Sequence, residues 1–313
     1  MTEIILHHYE ASPFAEKIRV LFGYKQLSWR SVDIPFVMPK PDVVALTGGY
    51  RKTPVLQVGC DVYCDTALIV RVVERLFPGR PVLRARSATS MAAARWFDRE
   101  LFMAAISQLF DRSVTAFNAE ALGGPAAAAA FGEDRARMMG NTPVRPPRSV
   151  DGRVVVEQTL LGLEAQLAGG GPFLEGAELG WVDLCAYHPL WAMRRNRGLS
   201  RRLDAYPGVL AWYERIRAFG HGSATPLTSE EALQMARVAA PRELLADPDA
   251  TPDDRVLLGD EVEVAAVDYG LEPSFGRLVG LAADELVIER EDARAGRVRV
   301  HFPRLGFRAK PRA

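Results

Sequence analysis

Polar side chains able to do chemistry lie at two predicted helix starts. Ser12 precedes Pro13, which places serine at a favoured N-cap position and proline at the first helical position. A hydroxyl there can donate to an anion whose charge the helix dipole also favours. Asp65 and Thr66 lie where a strand is predicted to end and a helix to begin. The free N–H groups of the helix start and the Thr66 hydroxyl can donate hydrogen bonds to a carboxylate, and the Asp65 side chain can accept one from an ammonium group. At both places the alternative is that these residues only cap their helices.

The three cysteines predict neither a disulfide framework nor a metal site. Cys60 and Cys64 are too close in sequence for a usual disulfide, and there is no CxxC motif or Cys/His metal spacing. Cys64 adjoins Asp65, but an inert buried thiol is favoured over a redox-sensitive one. We therefore expect reduced thiols, no metal and a cytoplasmic location.

Composition excludes several classes of partner. The 313 residues suggest two or three domains, and 48% hydrophobic with 25% charged residues is ordinary for a globular protein. Lys plus Arg and Asp plus Glu are both 39, so no global field attracts nucleic acid or an anionic membrane. The first residues lack a signal-peptide pattern, and no apolar run of about 18 residues occurs. We expect neither nucleic acid nor membrane as a partner.

Residues 1–80 predict an α/β domain. Ile4 to Leu6 begin a strand, and apolar residues at helical spacing follow Pro13. A second strand is predicted at 27–34, then an irregular stretch and a glycine-containing hairpin. A helix ending before Pro78 completes a mixed sheet with helices on its faces.

Residues 87–240 predict an all-helical domain. Gly180 and Asp183 mark one helix start, where Leu179 and Leu184 can form a hydrophobic staple, and a capping box begins at Thr228. The predicted helices are 87–119, 126–139, 152–168, 181–197, 207–219 and 229–239.

Residues 255–313 predict an appended β-rich domain, either a small antiparallel sheet or an SH3-like barrel. Val262 and Val264 alternate with glutamates, and further strands are predicted around 286–288, 298–300 and 306–307. Exposed edges and surplus apolar residues predict that it docks on the rest of the chain, with the last predicted helix as a candidate contact. Its many arginines could suggest a nucleic-acid surface, but interleaved acidic residues favour a solvated face.

Several segments, in this order, resemble the glutathione S-transferase family over residues 1 to about 240. ASPFAEKIRVLFGYK resembles the first active-site segment, closest to bacterial omega and zeta types but with serine at the active-site position. TPVL resembles the cis-proline turn and CDTALIVRVVERLFPG the glutamate-recognition helix. GWVDLCAYHPLW and YPGVLAWYERIRAF resemble helices of the C-terminal domain. The resemblance implies α/β plus all-α architecture, with a thioredoxin-like first domain and a transferase-type helical second domain.

The resemblance also implies roles for individual residues. Ser12 is the predicted catalytic residue, which stabilises the glutathione thiolate; because serine cannot form a mixed disulfide, thiol-transfer chemistry is disfavoured. Thr53 and Pro54, with Pro54 cis, are expected to hold the cysteinyl part of glutathione. The predicted glutathione-binding residues are Phe14, Lys40, Lys52, Thr53, Pro54, Asp65 and Thr66, with Arg51 as a further candidate beside Lys40 and Lys52 for the glycyl carboxylate.

These features predict a dimeric, cytoplasmic detoxification enzyme that activates glutathione as co-substrate and transfers it to a small hydrophobic electrophile. The homodimer is expected to use the helix bearing Arg71 and Arg75 and the helix beginning at Ser87. The alternative is a non-catalytic binding or assembly module that acts through its C-terminal β-domain, because a fold does not determine a function. Candidate residues for lining the electrophile site are Trp96, Phe97, Phe102, Met103 and Phe110.

Overall fold

The structure is a computed structural model that describes most of the chain. The described residues are 2–83, 87–111, 122–140, 142, 144–196, 198–244 and 255–312. An α/β domain comes first, a helical domain follows and a β-rich module ends the chain, which confirms the predicted fold class. The linker predicted near 246–254 and the helix end predicted at 112–119 lie outside the described residues.

The N-terminal domain is a mixed sheet with helices on both faces. Strand β1 runs parallel to β2 and antiparallel to β3, and β3 and β4 form the predicted hairpin. Alternate side chains of β1 enter different cores, because neighbouring residues of a strand face opposite sides. The elements are β1 (Ile5–His8), α1 (Pro13–Tyr24), β2 (Ser28–Asp33), α2 (Pro41–Thr47), β3 (Val55–Val58), β4 (Asp61–Cys64) and α3 (Thr66–Leu76).

Helix α2 occupies part of the stretch that we expected to be irregular. Pro41 stands at its first position, and Gly48 ends it in the left-handed conformation with φ of 79°. These are ordinary start and stop signals. With seven residues the helix completes barely two turns, so its apolar spacing is too short to reveal it.

The helical domain follows the predicted pattern closely. Helix α4 continues through a π-helical turn (Phe97–Leu101) into α5. The three segments together correspond to the single helix that the sequence predicted from residue 87. At the start of α8, Leu179 and Leu184 are fully buried and Asp183 accepts from the Gly180 N–H at 2.8 Å. The described helices are α4 (Ala88–Trp96), α5 (Phe102–Leu109), α6 (Pro125–Met139), α7 (Ser149–Gly170), α8 (Trp181–Arg194) and α9 (Pro207–Arg217).

The chain leaves the helical domain before residue 240. Strand β5 (Ser223–Pro226) lies parallel to β2 at the edge of the N-terminal sheet. Helix α10 (Ser229–Val238) begins with the predicted capping box, and Thr228 Oγ1 accepts from the Glu231 N–H at 3.2 Å. Its buried residues pack with α2 and the C-terminal module. We predicted α10 as the last helix of the helical domain and did not predict β5, because sequence patterns do not reveal these long-range contacts.

The C-terminal module is an open antiparallel sheet and not a closed barrel. Its strands follow the order β10-β6-β7-β8-β9, and β9 then pairs in parallel with β4 of the N-terminal domain. A ten-stranded sheet results, in which β4 is no longer an edge. The strands are β6 (Glu261–Ala266), β7 (Ser274–Leu281), β8 (Glu285–Asp292), β9 (Gly296–Pro303) and β10 (Phe307–Pro311). Of these we did not predict β7, which contains two glycines that weaken its strand pattern.

Docking of the module is therefore confirmed, and α10 takes part as expected. Ala232, Leu233 and Ala236 share a buried cluster with Val298 and Phe302. The module also approaches the loop after α2, where a Cβ on Gly49 would lie 2.1 Å from the Pro273 carbonyl oxygen. This contact admits glycine alone.

The module also binds the face of α3 that we expected at a subunit interface. Arg71 pairs with Asp284 at 2.5 Å, and Arg75 pairs with Glu285 at 3.2 Å. Both arginines therefore contact the chain's own module, through residues more than 200 positions away whose location the sequence did not reveal.

Candidate functional site

A large cleft lies where the N-terminal domain, the helical domain and the C-terminal module meet. Its volume is about 1370 Å³, and most of the predicted site residues line it. Those lining residues are Ser12, Phe14, Arg51, Lys52, Thr53, Pro54, Asp65 and Thr66.

Ser12 caps α1 at the cleft wall. Its Oγ accepts from the Ala15 N–H at 3.2 Å, and the residue is 2% exposed. Accepting that bond uses an oxygen lone pair and leaves the hydroxyl proton for donation. Capping and stabilisation of an anion are thus compatible roles for the same side chain.

Tyr9 stands beside Ser12, and sequence reasoning missed it. The Ser12 N–H donates to the Tyr9 carbonyl at 3.2 Å. Burial raises the pKa of the Tyr9 phenol, although the Arg135 guanidinium and the Ser12 hydroxyl oppose the rise. A protonated phenol can donate to an anion in the cleft. The available signal was a tyrosine directly after β1, at the turn that leads to Ser12.

Thr53 and Pro54 form the predicted cis peptide at the start of β3. A cis turn exposes backbone groups of both residues to the cleft, where they can meet an extended peptide. A second cis peptide, between Met38 and Pro39, was not predicted.

Lys40 does not line the cleft described above. It is 2% exposed, and its Nζ donates to Thr53 Oγ1 at 3.1 Å. Burial lowers its pKa to about 7, and the charges of Arg135 and Arg51 add to this effect. Lys40 thus supports Thr53 at the cis-proline turn, and its contact with the glycyl carboxylate stays a prediction.

Asp65 and Thr66 occupy the strand-to-helix junction as predicted. Asp65 has φ of 75°, unusual for a residue other than glycine, and its Oδ1 accepts from the Ala67 N–H at 2.8 Å. Burial raises the pKa of its carboxyl group, while this bond and the nearby Lys52 act in the opposite direction. A constrained backbone conformation of this kind often marks a functional site. The helix start leaves N–H groups and the Thr66 hydroxyl facing the cleft.

Arg51 and Lys52 reach the cleft but already have acidic partners. Arg51 is 2.5 Å from Asp134 of α6 and 3.0 Å from Glu272. Lys52 is 2.6 Å from Asp268, another residue of the module. Burial raises the pKa of the Asp134 carboxyl group, but the contact with Arg51 acts in the opposite direction. The net result is a pKa below the usual value. These ion pairs form between residues distant in sequence, so the sequence did not show that both candidates for the glycyl carboxylate have acidic partners.

Aromatic rings form one part of the cleft wall. The Phe14 ring packs on Phe102 with a centroid distance of 4.6 Å, and Phe110 stacks on Phe131 at 6.0 Å. Among the five candidates for the electrophile site, Phe102 and Phe110 line the cleft, whereas Trp96, Phe97 and Met103 do not.

An unexpected charged group borders this aromatic region. Asp98 lines the cleft and accepts from Lys17 Nζ at 2.7 Å and interacts with His188 Nε2 at 2.9 Å. Burial opposes the charge of Asp98, but Lys17 and His188 outweigh it and lower its pKa. Burial lowers the pKa of His188 to about 4, so the ring is neutral near pH 7. The helix positions of these residues follow no recognisable motif.

Other chemically capable residues have structural positions. Cys64 is buried, and burial followed by the charge of Asp65 raises the pKa of its thiol, which makes it inert. His7 and His8 are buried and bonded to Gln57 and Ser31. The described part of the chain contains no cluster of three potential metal ligands, and none of its helices is long and apolar enough to cross a membrane.

Comparisons with known proteins agree with this geometry. The family model for the glutathione S-transferase N-terminal domain matches residues 6–81, and that for the C-terminal domain matches residues 102–215. No curated protein matches the chain significantly.

Among solved structures, a GST-like protein from Pseudomonas syringae is 38% identical, with 100% of both chains covered and a TM-score of 0.80. A glutathione S-transferase III in apo form is 20% identical over 69% of this chain and 92% of that one, with a TM-score of 0.50. A glutathione S-transferase from Methylobacillus flagellatus KT with glutathione bound is 17% identical over 71% and 100%, with a TM-score of 0.49. The two family models and the full-length 38% identity show that the chain belongs to the glutathione S-transferase family.

Proposed function

We propose that this protein activates the thiol of glutathione and transfers it to a small hydrophobic electrophile, with Ser12 as the thiolate-stabilising residue. The observation that carries the proposal is the convergence of three features on one cleft. These are the Ser12 hydroxyl at a helix start, the cis peptide before Pro54 and the polar junction at Asp65 and Thr66. The serine also supports placement near the omega and zeta types.

The proposed chemistry begins with loss of the thiol proton. A free thiol has a pKa near 8.5, so little thiolate exists at neutral pH. Donation from Ser12 and the positive end of α1 favour the thiolate and lower that pKa. Tyr9 can add a second donor. The thiol proton passes to solvent water. The thiolate sulfur then forms a bond to the electrophilic carbon, which expels its leaving group with the bonding electron pair or, in an addition, passes a π electron pair to the neighbouring atom, which takes a proton from water. Phe14, Phe102 and Phe110 surround the apolar part of the second substrate.

The predicted peptide contacts follow the same geometry. The Thr53–Pro54 turn meets the cysteinyl backbone, and the N–H groups at the start of α3 with Thr66 meet the γ-glutamyl carboxylate. Asp65 accepts from the ligand ammonium. These assignments rest on the positions of the side chains in the cleft.

The test is a comparison of the unaltered protein with Ser12→Ala. We expect turnover with a general thiol-reactive electrophile to fall by more than tenfold. Loss of the cap costs about 1 kcal/mol of stability, which the fold tolerates. Tyr24→Phe is a matched control, since that hydroxyl bonds to the Val82 carbonyl away from the cleft. Full activity of Ser12→Ala with an unchanged pH–rate profile would leave Ser12 as a helix cap alone.

The alternative function is non-catalytic binding or assembly through the C-terminal module. Retention on a glutathione column together with turnover of an electrophile supports the enzyme, whereas absence of both supports the alternative. We further propose a homodimer and a cytoplasmic location. All three cysteines are buried free thiols, which suits a reducing compartment.

A further inference from the structure

The turn between β6 and β7 enters the cleft from the C-terminal module. Asp268 and Tyr269 line the cleft together with groups of the N-terminal domain. The Gly270 N–H donates to the Met138 carbonyl at 3.1 Å, which attaches the turn to helix α6. At Gly270, φ is 59°, and an added Cβ would lie 3.1 Å from Met138 Cε and 3.3 Å from Lys52 Cε. The turn is therefore closely seated between both neighbouring domains.

Lys52 is held by this turn on two sides. Its Nζ lies 2.6 Å from Asp268 Oδ1 and 4.1 Å from the centroid of the Tyr269 ring. Asp268 Oδ1 also accepts from the Tyr269 N–H at 2.7 Å, which orients the turn. The ammonium group is thus neutralised by a residue 216 positions later in the chain.

Tyr269 brings a hydroxyl donor to the same place. The residue is half-buried and lines the cleft, so its hydroxyl can donate to a ligand there. Burial raises its pKa, and the negative charges of Asp268, Asp65 and Asp98 raise it further, so the phenol keeps its proton. A protonated donor beside Lys52 suits an oxygen acceptor.

The charges around this turn indicate how a carboxylate would enter. Lys52 and Arg51 are both paired, and Lys40 is buried, with its Nζ donating to Thr53 Oγ1. An incoming carboxylate must therefore compete with an acidic side chain for a cation. Asp268 is the replaceable partner, because its side chain is 25% exposed and Lys52 makes no other ion pair within the described part of the chain, whereas Arg51 keeps the buried Asp134, 8% exposed, even if Glu272 moves away.

We propose that the C-terminal module completes the glutathione site. Tyr269 binds the glycyl carboxylate directly, and that carboxylate displaces Asp268 from Lys52. The inference rests on the proposed function and assigns a ligand-binding role to a segment outside both matched family domains. An extended peptide whose thiol lies at Ser12 and whose γ-glutamyl end lies at Asp65 and Thr66 directs its third residue toward Lys52.

Two variants test the proposal, because it predicts effects of opposite sign. Tyr269→Phe removes the donor, and we expect the dissociation constant of glutathione to rise by roughly tenfold. Asp268→Asn keeps the acceptor for the Tyr269 N–H but removes the competing charge, so the dissociation constant should fall by about threefold or more. Damage to a merely structural turn would weaken binding in both variants. Tyr24→Phe is the matched control and should leave affinity unchanged.

Titration calorimetry with full-length protein gives the affinities, and the glycyl ethyl ester of glutathione identifies the carboxylate. We expect the gain from Asp268→Asn with glutathione and no gain with the ester. This inference would be overturned if both variants bound glutathione with the affinity of the unaltered protein. It would also be overturned if both variants bound glutathione more weakly. Either result would leave the proposed function intact. Absence of glutathione binding by the unaltered protein would overturn the proposed function and this inference together.

Discussion

Removal of the His301 side chain should loosen the contact between the module and the N-terminal domain. His301 is 4% exposed, and its two ring nitrogens lie 2.6 Å from Glu285 and 2.9 Å from Asp61 of β4. Its strand β9 pairs with β4, and residue 301 is opposite Tyr63 in that register. His301→Ala would leave two buried carboxylates without their shared partner.

The size of the effect follows from the remaining partners of those carboxylates. Breaking a buried ion pair typically costs 3–5 kcal/mol, about the range expected here. Arg75 still pairs with Glu285 at 3.2 Å, and the Arg242 N–H still donates to Asp61 at 3.0 Å. We therefore expect the lower end, about 3 kcal/mol, which corresponds to a loss of protection on the order of a hundredfold.

Hydrogen exchange of the β4 and β9 amides measures this loss directly. Burial disfavours the charge of His301, but its bonds to Asp61 and Glu285 outweigh burial and raise its pKa above 6.5. A raised folded-state pKa stabilises the protein below about pH 6.5, and the contribution disappears as pH rises through the folded-state pKa. Protection in the unaltered protein should therefore decrease over that interval, while the variant lacks this dependence.

A surface cation of the same module provides the control. Arg308 is exposed on β10, so Arg308→Gln should leave protection of the β4 and β9 amides unchanged. If His301→Ala retains protection within threefold of the unaltered protein at pH 6, the paired carboxylates do not depend on His301 and the reasoning is refuted.

Three further predictions concern binding and assembly. Asp65→Ala should raise KM for glutathione more than it lowers kcat, since its proposed contact is remote from the sulfur; unaltered affinity by calorimetry would remove Asp65 from the site. A chain ending at Ala240 should lose solubility and melt at a lower temperature, because it exposes the β4 edge and the apolar surface shared with the module; an unchanged melting temperature would show that the module is independent. Sedimentation at micromolar concentration should give a dimer of 34.5 kDa subunits, and a monomer alone would exclude it.

Local sequence signals predicted much of the fold. Ser12, Asp65 and Thr228 each cap a helix at the predicted place. Such caps involve residues three positions apart or fewer, so the sequence contains both partners of the interaction. The short helix α2 and the edge strand β5 escaped prediction because neither has enough residues to establish a period.

The same distinction applies to the candidate site. The sequence and the family resemblance predicted that Ser12, Pro54, Asp65 and Thr66 belong to one site. In the structure all four residues line the same cleft. They did not predict that Lys40 is buried behind Thr53 and does not itself line the cleft.

The pairing of the other cations depended on tertiary structure. Arg51 meets Asp134 across 83 positions, and Lys52 meets Asp268 across 216. The sequence by itself determined the helix starts, the strand alternation and the types of side chain available. Tertiary structure decided which charges are neutralised, and it joined β9 to β4, because distant residues meet only after the chain has folded.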